Sequence, residues 1–596
     1  MLKSHKESNI PFLTPSWDNS EEDEYFDCQE DMTEEQTYPE RSLILNEEDD
    51  SSNDDEHSDL ESCLPPSVKR IKAIKSNSCE YWRKAIKKEL QNMIYLNVWE
   101  EVAVENSYKL IGTTWVFKTK RDGLNNIVEH KVPLCAQGFS QTQGKDYSKT
   151  FAPTGQLYSL RTLIFHASAN NLSFEQLDIK SAFLHAPLEE DVYLAIPQGI
   201  DRYKRNVCLK LKKAIYGLKQ PPLAWYRRLS SWLVNFGFSI SKADPYVFYL
   251  KSNEPIWIFL HVDDIGIFGK NLMSFKNAIK CVFQTKLLGS DELMLGIKIV
   301  HEPKTITLTQ SHYIDSILES YGRTNCKPTA SPLIPNIHLE AATRTEQEEF
   351  FSLKVNYRTA IGSLSYLSTA TRPDLSYSIS ALSQFLENSG ILHWKAFLHF
   401  LKYLKGTNNV GLMYERNVKK PPVAYSDADW GNCRITRRLT TGYLVLLHNN
   451  LIIWKTRKQP TVSLSSAKAK YKLLTDLTSE LLWLKQFIQE TKILTITKAI
   501  QVHEDNQGCI DTANSDCNTN TRFMKHIDIQ LQFVRDVIRE DVIKLMYTPT
   551  TNMLADFLTK LISFPAISRA MKELRLLQME DKGGVEICGL SQSVSN

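Results

Sequence analysis

Asp178 closes the segment Phe174-Glu175-Gln176-Leu177-Asp178-Ile179, whose composition predicts a strand. Asp263 and Asp264 follow His261 and Val262 at the joint between two apolar runs, residues 256–260 and 265–268, the pattern of a hairpin with two acids at its tip. Singly, a strand-end Asp or an acidic turn is an ordinary surface feature. If neighbouring strands bring the three carboxylates together, they can hold two divalent cations ~4 Å apart, which activate an attacking hydroxyl and stabilise a departing pyrophosphate. Mg²⁺ takes hard oxygen donors and keeps substrate phosphates in its shell, so two or three Asp suffice. The apolar strands on either side strengthen that reading, because paired carboxylates beside a core are costly unless a cation neutralises them.

The elements that must position these acids are written in the surrounding periodicities. Trp82, Ile86, Leu90, Met93 and Ile94 recur at helical spacing. Residues 114–120 predict a strand running to a turn at Asp122-Gly123. Residues 305–420 read as mainly helical, and there Trp394, Phe397, Leu398, Leu401 and Leu404 make one apolar stripe that stops at Gly406. From Val423 the pattern changes. Strands are expected at 423–430, 441–447 and 451–456, then a helix at 466–490, a strand at 498–505, a helix at 525–538, a strand at 543–548 and a helix at 553–562. That order describes an α/β layer. The last thirty residues are expected to fray.

A chain of 596 residues exceeds what one core fills, and 42% apolar with 23% charged residues excludes collagenous or wholly disordered classes. The net charge of +2 conceals an asymmetry: residues 1–62 hold 21 acidic and 3 basic residues, leaving 48 acidic and 68 basic ones in the remainder. Residues 1–66 bury too little to offset ordering entropy and read as a disordered acidic tail, and residues 67–80 as a basic linker. A basic body suits a polyanionic partner. No apolar run is long enough to span a bilayer and the start lacks a signal-peptide core, so the reading is a soluble, intracellular chain with no membrane partner. The eleven cysteines include no C-x2-C pair, which argues for reduced thiols and against structural zinc.

The motifs around the acids resemble those of copia-type retrotransposon reverse transcriptases. Gln176-Leu177-Asp178-Ile179-Lys180-Ser181-Ala182-Phe183-Leu184-His185 looks like the palm motif; Lys213-Ala214-Ile215-Tyr216-Gly217-Leu218-Lys219-Gln220 with Ala224-Trp225-Tyr226 resembles the next motif, and His261-Val262-Asp263-Asp264 the aromatic-Val-Asp-Asp box. Trp115-Val116-Phe117-Lys118 and Ala136-Gln137-Gly138-Phe139-Ser140-Gln141 fit the fingers. Thr371-Arg372-Pro373-Asp374 and Tyr403-Leu404-Lys405-Gly406-Thr407 fit the connecting region. The resemblance implies a multidomain α+β and α/β fold. A right-hand polymerase would have fingers and palm at 81–304 and a helical thumb and connection at 305–420; a ribonuclease H-like α/β domain would follow at 421–563 and a tail at 564–596. It further implies Asp178, Asp263 and Asp264 as ligands of Mg²⁺ or Mn²⁺, and Phe183 as the bulky side chain that excludes a 2′-hydroxyl. Gln220, Lys118 and Lys120 would contact the incoming nucleotide. Three departures bear on that nucleotide shell: Pro133 in Lys131-Val132-Pro133-Leu134, where the family has Arg; Leu223, also in place of an Arg; and His261 in place of Tyr or Phe. A lost guanidinium removes a bidentate phosphate contact.

The segment after Val423 resembles the family's ribonuclease H domain, through Tyr425-Ser426-Asp427-Ala428-Asp429-Trp430, Glu504-Asp505-Asn506-Gln507, Lys525-His526-Ile527-Asp528 and Leu554-Ala555-Asp556. The resemblance implies Asp427, Asp505 and Asp556 as three of four metal-holding carboxylates. The fourth is missing: the family pattern Ser-Ser-x-Glu-Ala-Glu-Tyr stands here as Ser465-Ser466-Ala467-Lys468-Ala469-Lys470-Tyr471. Lys470 precedes Leu474 and Leu477 at helical spacing, so it is expected to point inward, pair with Asp427 and take the cation's place. The alternative is a Lys470 that bends to solvent along its stem.

The implied activity is RNA-directed DNA polymerisation. Its partners would be an RNA template, a DNA primer, an RNA–DNA hybrid and deoxynucleoside triphosphates; its setting would be the cytoplasm, a virus-like particle or the nucleus. The competing reading is a degenerate, non-catalytic relic that at most binds nucleic acid. No Asp-Ser/Thr-Gly protease signature, zinc knuckle or integrase finger is present, so a processed product, a truncated frame and a fragment all fit.

Overall fold

The structure is a computed structural model that describes residues 79–121, 127–150, 152, 155–197, 206–288, 293–335, 337–416, 419–429, 438–459, 466–515 and 528–579. The acidic tail and nearly all of the basic linker lie outside the described residues.

Helix α1 (Cys79–Tyr95) buries Trp82 and Met93, as its periodicity predicts. It packs over short strands that form the fingers. The strand expected at 114–120 is two strands: Thr113–Trp115 pairs with Leu134–Ala136, and Lys118–Arg121 with Ile127–Lys131. The change of partner breaks it, and the Val116 N–H turns to the Pro133 carbonyl at 3.1 Å. Pro133 falls between strands, so its missing N–H removes no ladder bond.

Six antiparallel strands make the palm. Helix α2 (Leu157–Asn170), buried from Ser159 to Ser168, ends on Asn171 in the left-handed conformation that Asn tolerates. Next come β1 (Ser173–Ile179), α3 (Pro221–Phe236), β2 (Ser239–Ile240), β3 (Val247–Leu250), β4 (Ile256–His261), β5 (Asp264–Gly269), α4 (Met273–Val282) and β6 (Thr285–Leu288). Prolines at the first positions of α3 cost no helical bond and Gly237 (φ 116°) closes it. The sheet order is β2-β3-β4-β5-β1-β6. Leu177, Ile179, Trp225, Leu229, Phe248, Ile258 and Ile267 fill one apolar core on one side of it.

The stretch read as mainly helical has five α-helices, α5 (Ser311–Ser320), α6 (Arg344–Phe351), α7 (Tyr357–Ala370), α8 (Ser376–Ser383) and α9 (Ile391–Gly406), among its described residues. Strands bracket them. After β7 (Leu293–Met294) and β8 (Ile297–His301), β9 (Thr305–Thr309) pairs back on β8, and β10 (Val410–Glu415) pairs with β9. Alternation of Thr305, Thr307 and Thr309 with Ile306 and Leu308 is the strand signal that the helical reading passed over. Arg372 and Asp374 form a wholly buried ion pair at 2.7 Å, closed by Thr407 and Tyr403, which ties α9 to the turn after α7.

The last domain holds β11 (Val423–Asp429), β12 (Thr440–Leu447), β13 (Asn450–Lys458), α10 (Ser466–Thr491), β14 (Ile500–Glu504), α11 (Gln507–Asn514), α12 (Asp528–Arg539) and β15 (Ile543–Tyr547). The sheet order β13-β12-β11-β14-β15 combines two antiparallel with two parallel pairings, the mixed topology of a ribonuclease H-like layer. The helix expected at 553–562 is a short 3-10 turn, Leu554–Leu558. The expected tail is also ordered in part: α13 (Phe564–Glu573) buries Ile567, Ala570 and Met571 on one face, and β16 (Leu576–Gln578) pairs with β10. That pairing completes a sheet of order β7-β8-β9-β10-β16.

The packing does not stop at the expected domain boundaries. Leu160 and Phe165 of α2, Trp257, Phe259 and Phe268 of the palm, and Leu444, Trp454, Leu481 and Phe487 of the last domain belong to one apolar core. Polar contacts cross the same seam. Glu490 accepts from Ser241 Oγ and from the N–H groups of Lys242 and Ala243, and Trp257 Nε1 donates to the Thr491 carbonyl. Among the described residues no helix is long and apolar enough to cross a membrane.

Candidate active sites

The antiparallel register sets Asp264 of β5 directly opposite Asp178 of β1, so both carboxylates rise from one face of the palm. Asp263 occupies the two-residue turn before Asp264, and its carbonyl accepts from Ile179 N–H at 3.3 Å. Asp178 and Asp264 thus meet across the sheet, with Asp263 in the adjoining turn. Val262 holds a φ of 58°, a left-handed conformation that strains a β-branched residue. Trp225, 1% exposed, donates Nε1 to the Val262 carbonyl at 2.7 Å and secures that turn.

The electrostatics follow from the crowding. Burial first, then the neighbouring Asp263 charge, pushes Asp264 up to about 6, against a hydrogen bond from Gln176 Nε2. Burial also raises Asp263, with Asp178 adding to the rise and Lys131 opposing it. Burial and the same acids raise the Tyr216 hydroxyl. Two half-buried carboxylates that resist ionisation, beside a third at Asp178, suit an added cation, and their oxygens are the donors that Mg²⁺ or Mn²⁺ takes. Among the described residues no group of three His, Cys, Asp or Glu side chains is placed so that it could hold a metal ion, the three palm acids included.

Phe183 sits on a 3-10 turn, Ala182–His185, half-buried and tilted against Tyr216 at 5.2 Å. Lys118 is exposed on its hairpin, opposite Lys131. Lys120 lies on the same strand, and its side chain is outside the described residues. Lys131, beside Pro133 in the sequence, is a cation whose field reaches Asp263. Gln220 is 3% exposed and serves as a staple: its Oε1 accepts from Gln141 Nε2 at 3.1 Å and its Nε2 donates to the Asp146 carbonyl at 3.1 Å. It fastens the fingers motif to α3 and also lines the cleft that Leu223 borders. Gly138 and Gly217 complete that junction, since a Cβ on either would collide with backbone of the other motif. Leu223 lines a cleft of ≈ 260 Å³ together with Lys149, Arg227 and Arg228, so cations remain beside the position that lost its Arg.

The second constellation is closed. Lys470, 6% exposed in the first turn of α10, places Nζ 3.2 Å from Asp427 Oδ1 and 3.1 Å from Glu504 Oε1, and also contacts Asp505 Oδ1. Burial works against its charge, but Glu504, Asp427 and Asp505 together raise its pKa. Burial pushes Glu504 up to about 7, with Lys470 opposing. Burial also disfavours the Asp505 charge, yet the hydrogen bond from Lys470 holds that carboxyl below its usual range. Asp556 meets Lys560 Nζ at 3.0 Å and is raised to about 6 by burial and the Asp427 charge. The Lys468 side chain lies outside the described residues. The donor set does not fit a divalent cation, because an ammonium already sits among its oxygens. Glu504, Thr559 and Lys560 were missed from sequence; Glu504 stood next to Asp505 in the quoted motif, on a strand whose alternation turns it inward.

Fold and site thus define a reverse transcriptase palm followed by a ribonuclease H-like layer. The family profile "Reverse transcriptase (RNA-dependent DNA polymerase)" matches residues 96–335. The chain is 34% identical over 492 residues to the retrovirus-related Pol polyprotein from transposon TNT 1-94 of Nicotiana tabacum, covering 80% of this chain and 36% of that one. It is 33% identical over 498 residues to the corresponding polyprotein from transposon RE1 of Arabidopsis thaliana, covering 82% and 33%. A solved foamy viral protease-reverse transcriptase in complex with RNA/DNA hybrid aligns with a TM-score of 0.42 at 14% identity, over 80% of this chain and 55% of that one. Residues 96–335 belong to the reverse transcriptase family, and the chain is a homologue of copia-type transposon Pol polyproteins that spans about a third of the length of the curated relatives it matches.

Proposed function

We propose that the chain is an RNA-directed DNA polymerase whose attached ribonuclease H-like domain does not cut. The observation that carries the polymerase half is the Asp178–Asp264 register with Asp263 in the adjoining turn. Asp178, Asp263 and Asp264 would hold divalent cations, which when bound supply charge neutralisation for the triphosphate and the primer hydroxyl. Lys118, Lys120 and Lys131 stand on or beside the fingers hairpin, as phosphate ligands of an incoming deoxynucleotide would. Phe183, packed on Tyr216, would crowd a 2′-hydroxyl. The basic body serves the template and primer phosphates.

The silent-nuclease half rests on Lys470. A divalent ion would have to displace a buried ammonium bonded to Asp427, Glu504 and Asp505. The relic reading draws on Pro133 and Leu223; the position of Pro133 between strands and the cations around Leu223 weaken it.

Primer extension on a homopolymer RNA template with Mg²⁺ tests the polymerase, with D264N as control. Incorporation by the wild-type chain at a thousandfold or more above D264N is expected, in line with loss of a metal ligand (on the order of 4 kcal/mol); parity between the two defeats the proposal.

A further inference from the structure

The turn that carries Phe183 is anchored in two different cores. Ala182 is buried in the apolar core of the palm, whereas Leu184 is buried in the core beneath α1, together with Trp82 and Met93. Phe183 stands between them, half-buried against Tyr216. Backbone bonds fix the chain on either side. Lys180 N–H donates to the Gln284 carbonyl at 2.9 Å, Leu184 N–H to the Ser181 carbonyl at 2.9 Å and Ala186 N–H to the Phe183 carbonyl at 3.0 Å.

Ser181 is the joint. Its φ of 54° and ψ of 43° lie in the left-handed region, which a residue with a Cβ enters only at a cost. A serine that opens a helical turn ordinarily aims its hydroxyl at the N–H groups of that turn. Ser181 makes no such cap. Its Oγ instead accepts from Asn92 Nδ2 at 3.0 Å, across 89 residues of sequence. Asn92 lies in the last turn of α1, next to the fully buried Met93, so its amide is delivered from the fingers. Ser181 follows Asp178 by three residues and precedes Phe183 by two, so a swing at this joint moves the ring relative to the acids.

We propose that Asn92 is a positioning residue for sugar selection: its bond to Ser181 holds the left-handed joint, and the joint sets how closely Phe183 approaches the 2′ position of an incoming nucleotide. The proposal rests on the reading of the chain as a polymerase in which Phe183 crowds a 2′-hydroxyl. It adds that the selection is set from the fingers helix, outside the segment that carries Asp178. Without the amide, Ser181 relaxes toward ordinary backbone, the ring swings, and a ribonucleotide gains room.

The test is single-nucleotide primer extension by the full chain, with deoxy- and ribonucleoside triphosphates of one base measured on each preparation. The ratio of their kcat/KM values cancels any loss of folded protein. N92A should lower the deoxy-over-ribo ratio about tenfold. S181A should lower it by a similar factor, and N92A/S181A no further than either single variant, because all three delete the same bond. K88A removes an exposed ion pair, 3.2 Å long, between the same helix and Glu129, and should leave the ratio where it is. F183A calibrates the gate and should lower the ratio most.

An unchanged ratio in N92A beside a relaxed one in F183A overturns the role of Asn92 and leaves the gate standing. An unchanged ratio in F183A overturns the gate, and a chain that extends no primer overturns the polymerase; this inference falls with either. Factors that multiply in the double variant, or an equal fall in K88A, show a loosened helix instead of a clip and overturn the assignment.

Discussion

Lys470 Nζ lies 3.2 Å from Asp427 Oδ1 inside a ring of carboxylates, where two oppositely charged groups are both nearly out of water. Removing one member of such a pair leaves the other uncompensated. K470M should therefore lose about 3–5 kcal/mol of stability, read by denaturant unfolding. K470E should be less stable still without metal, and Mg²⁺ should raise its melting temperature while leaving the wild type's unchanged. Labelled RNA–DNA hybrid should be cut only by variants that restore Glu, with K468E/K470E the strongest candidate. Cleavage by the wild type at the revertant's rate would refute the blockade.

The raised Asp264 fixes a pH dependence. Its folded pKa of about 6 exceeds the ordinary 3.8, so the folded state holds the proton more tightly. The group's stabilising contribution is complete below about 4 and disappears as pH rises through about 6. D264N should gain melting temperature relative to wild type over that window, and Mg²⁺ should narrow the gap. Because metal and proton compete for the carboxylate, apparent Mg²⁺ affinity should fall up to about tenfold per pH unit below 6. A flat gap between the two melting curves from pH 4 to 7 would contradict this.

Trp225 is a positioning residue for the polymerase turn. W225F keeps an aromatic ring but deletes the hydrogen bond to Val262 and leaves a void at a fully buried site, which together cost about 2–4 kcal/mol of stability. The strained turn should then wander, and kcat should drop about tenfold to a hundredfold with little change in the deoxynucleotide KM. A KM effect with kcat intact would place Trp225 in substrate binding instead.

Glu490 fastens the last domain to the palm by accepting three hydrogen bonds from residues 241–243. E490A should destabilise the chain by about 1–3 kcal/mol. A chain cut after residue 416 should do far worse, since two thirds of the core around Trp257 and Phe259 is supplied from beyond that point. Two separate thermal transitions in the intact chain would show that the seam is weaker than its packing indicates.

How much of this the sequence disclosed depended on how local each signal was. Asp263 and Asp264 sat between two apolar strands and Asp178 ended a third, so their placement was readable once the strands were. Lys470 was readable from the helical spacing of Leu474 and Leu477 below it. Trp225, Lys131 and Glu504 matter only through partners distant in the chain, and no periodicity announces a hydrogen bond to Val262 or a field at Asp263. Gln220 was read as a pocket residue by resemblance, whereas the fold commits both ends of its amide to the fingers junction. Helix α11 had a signal that went unused: Asn506 caps it, with Cys509, Ile510 and Ala513 buried at helical spacing. Strand β16, at three residues, is too short to show alternation.

Strand β16 covers the open side of β10, yet the two segments are made far apart in time as the chain is synthesised. Until residues 576–578 emerge from the ribosome, Val410, Gly411 and Leu412 present bare amides and carbonyls to any passing strand. Messages cut short anywhere in the last domain would yield products with that edge uncovered, prone to stick to one another. Residues 576–578 thus act as a lock against self-association of chains that stop short of them.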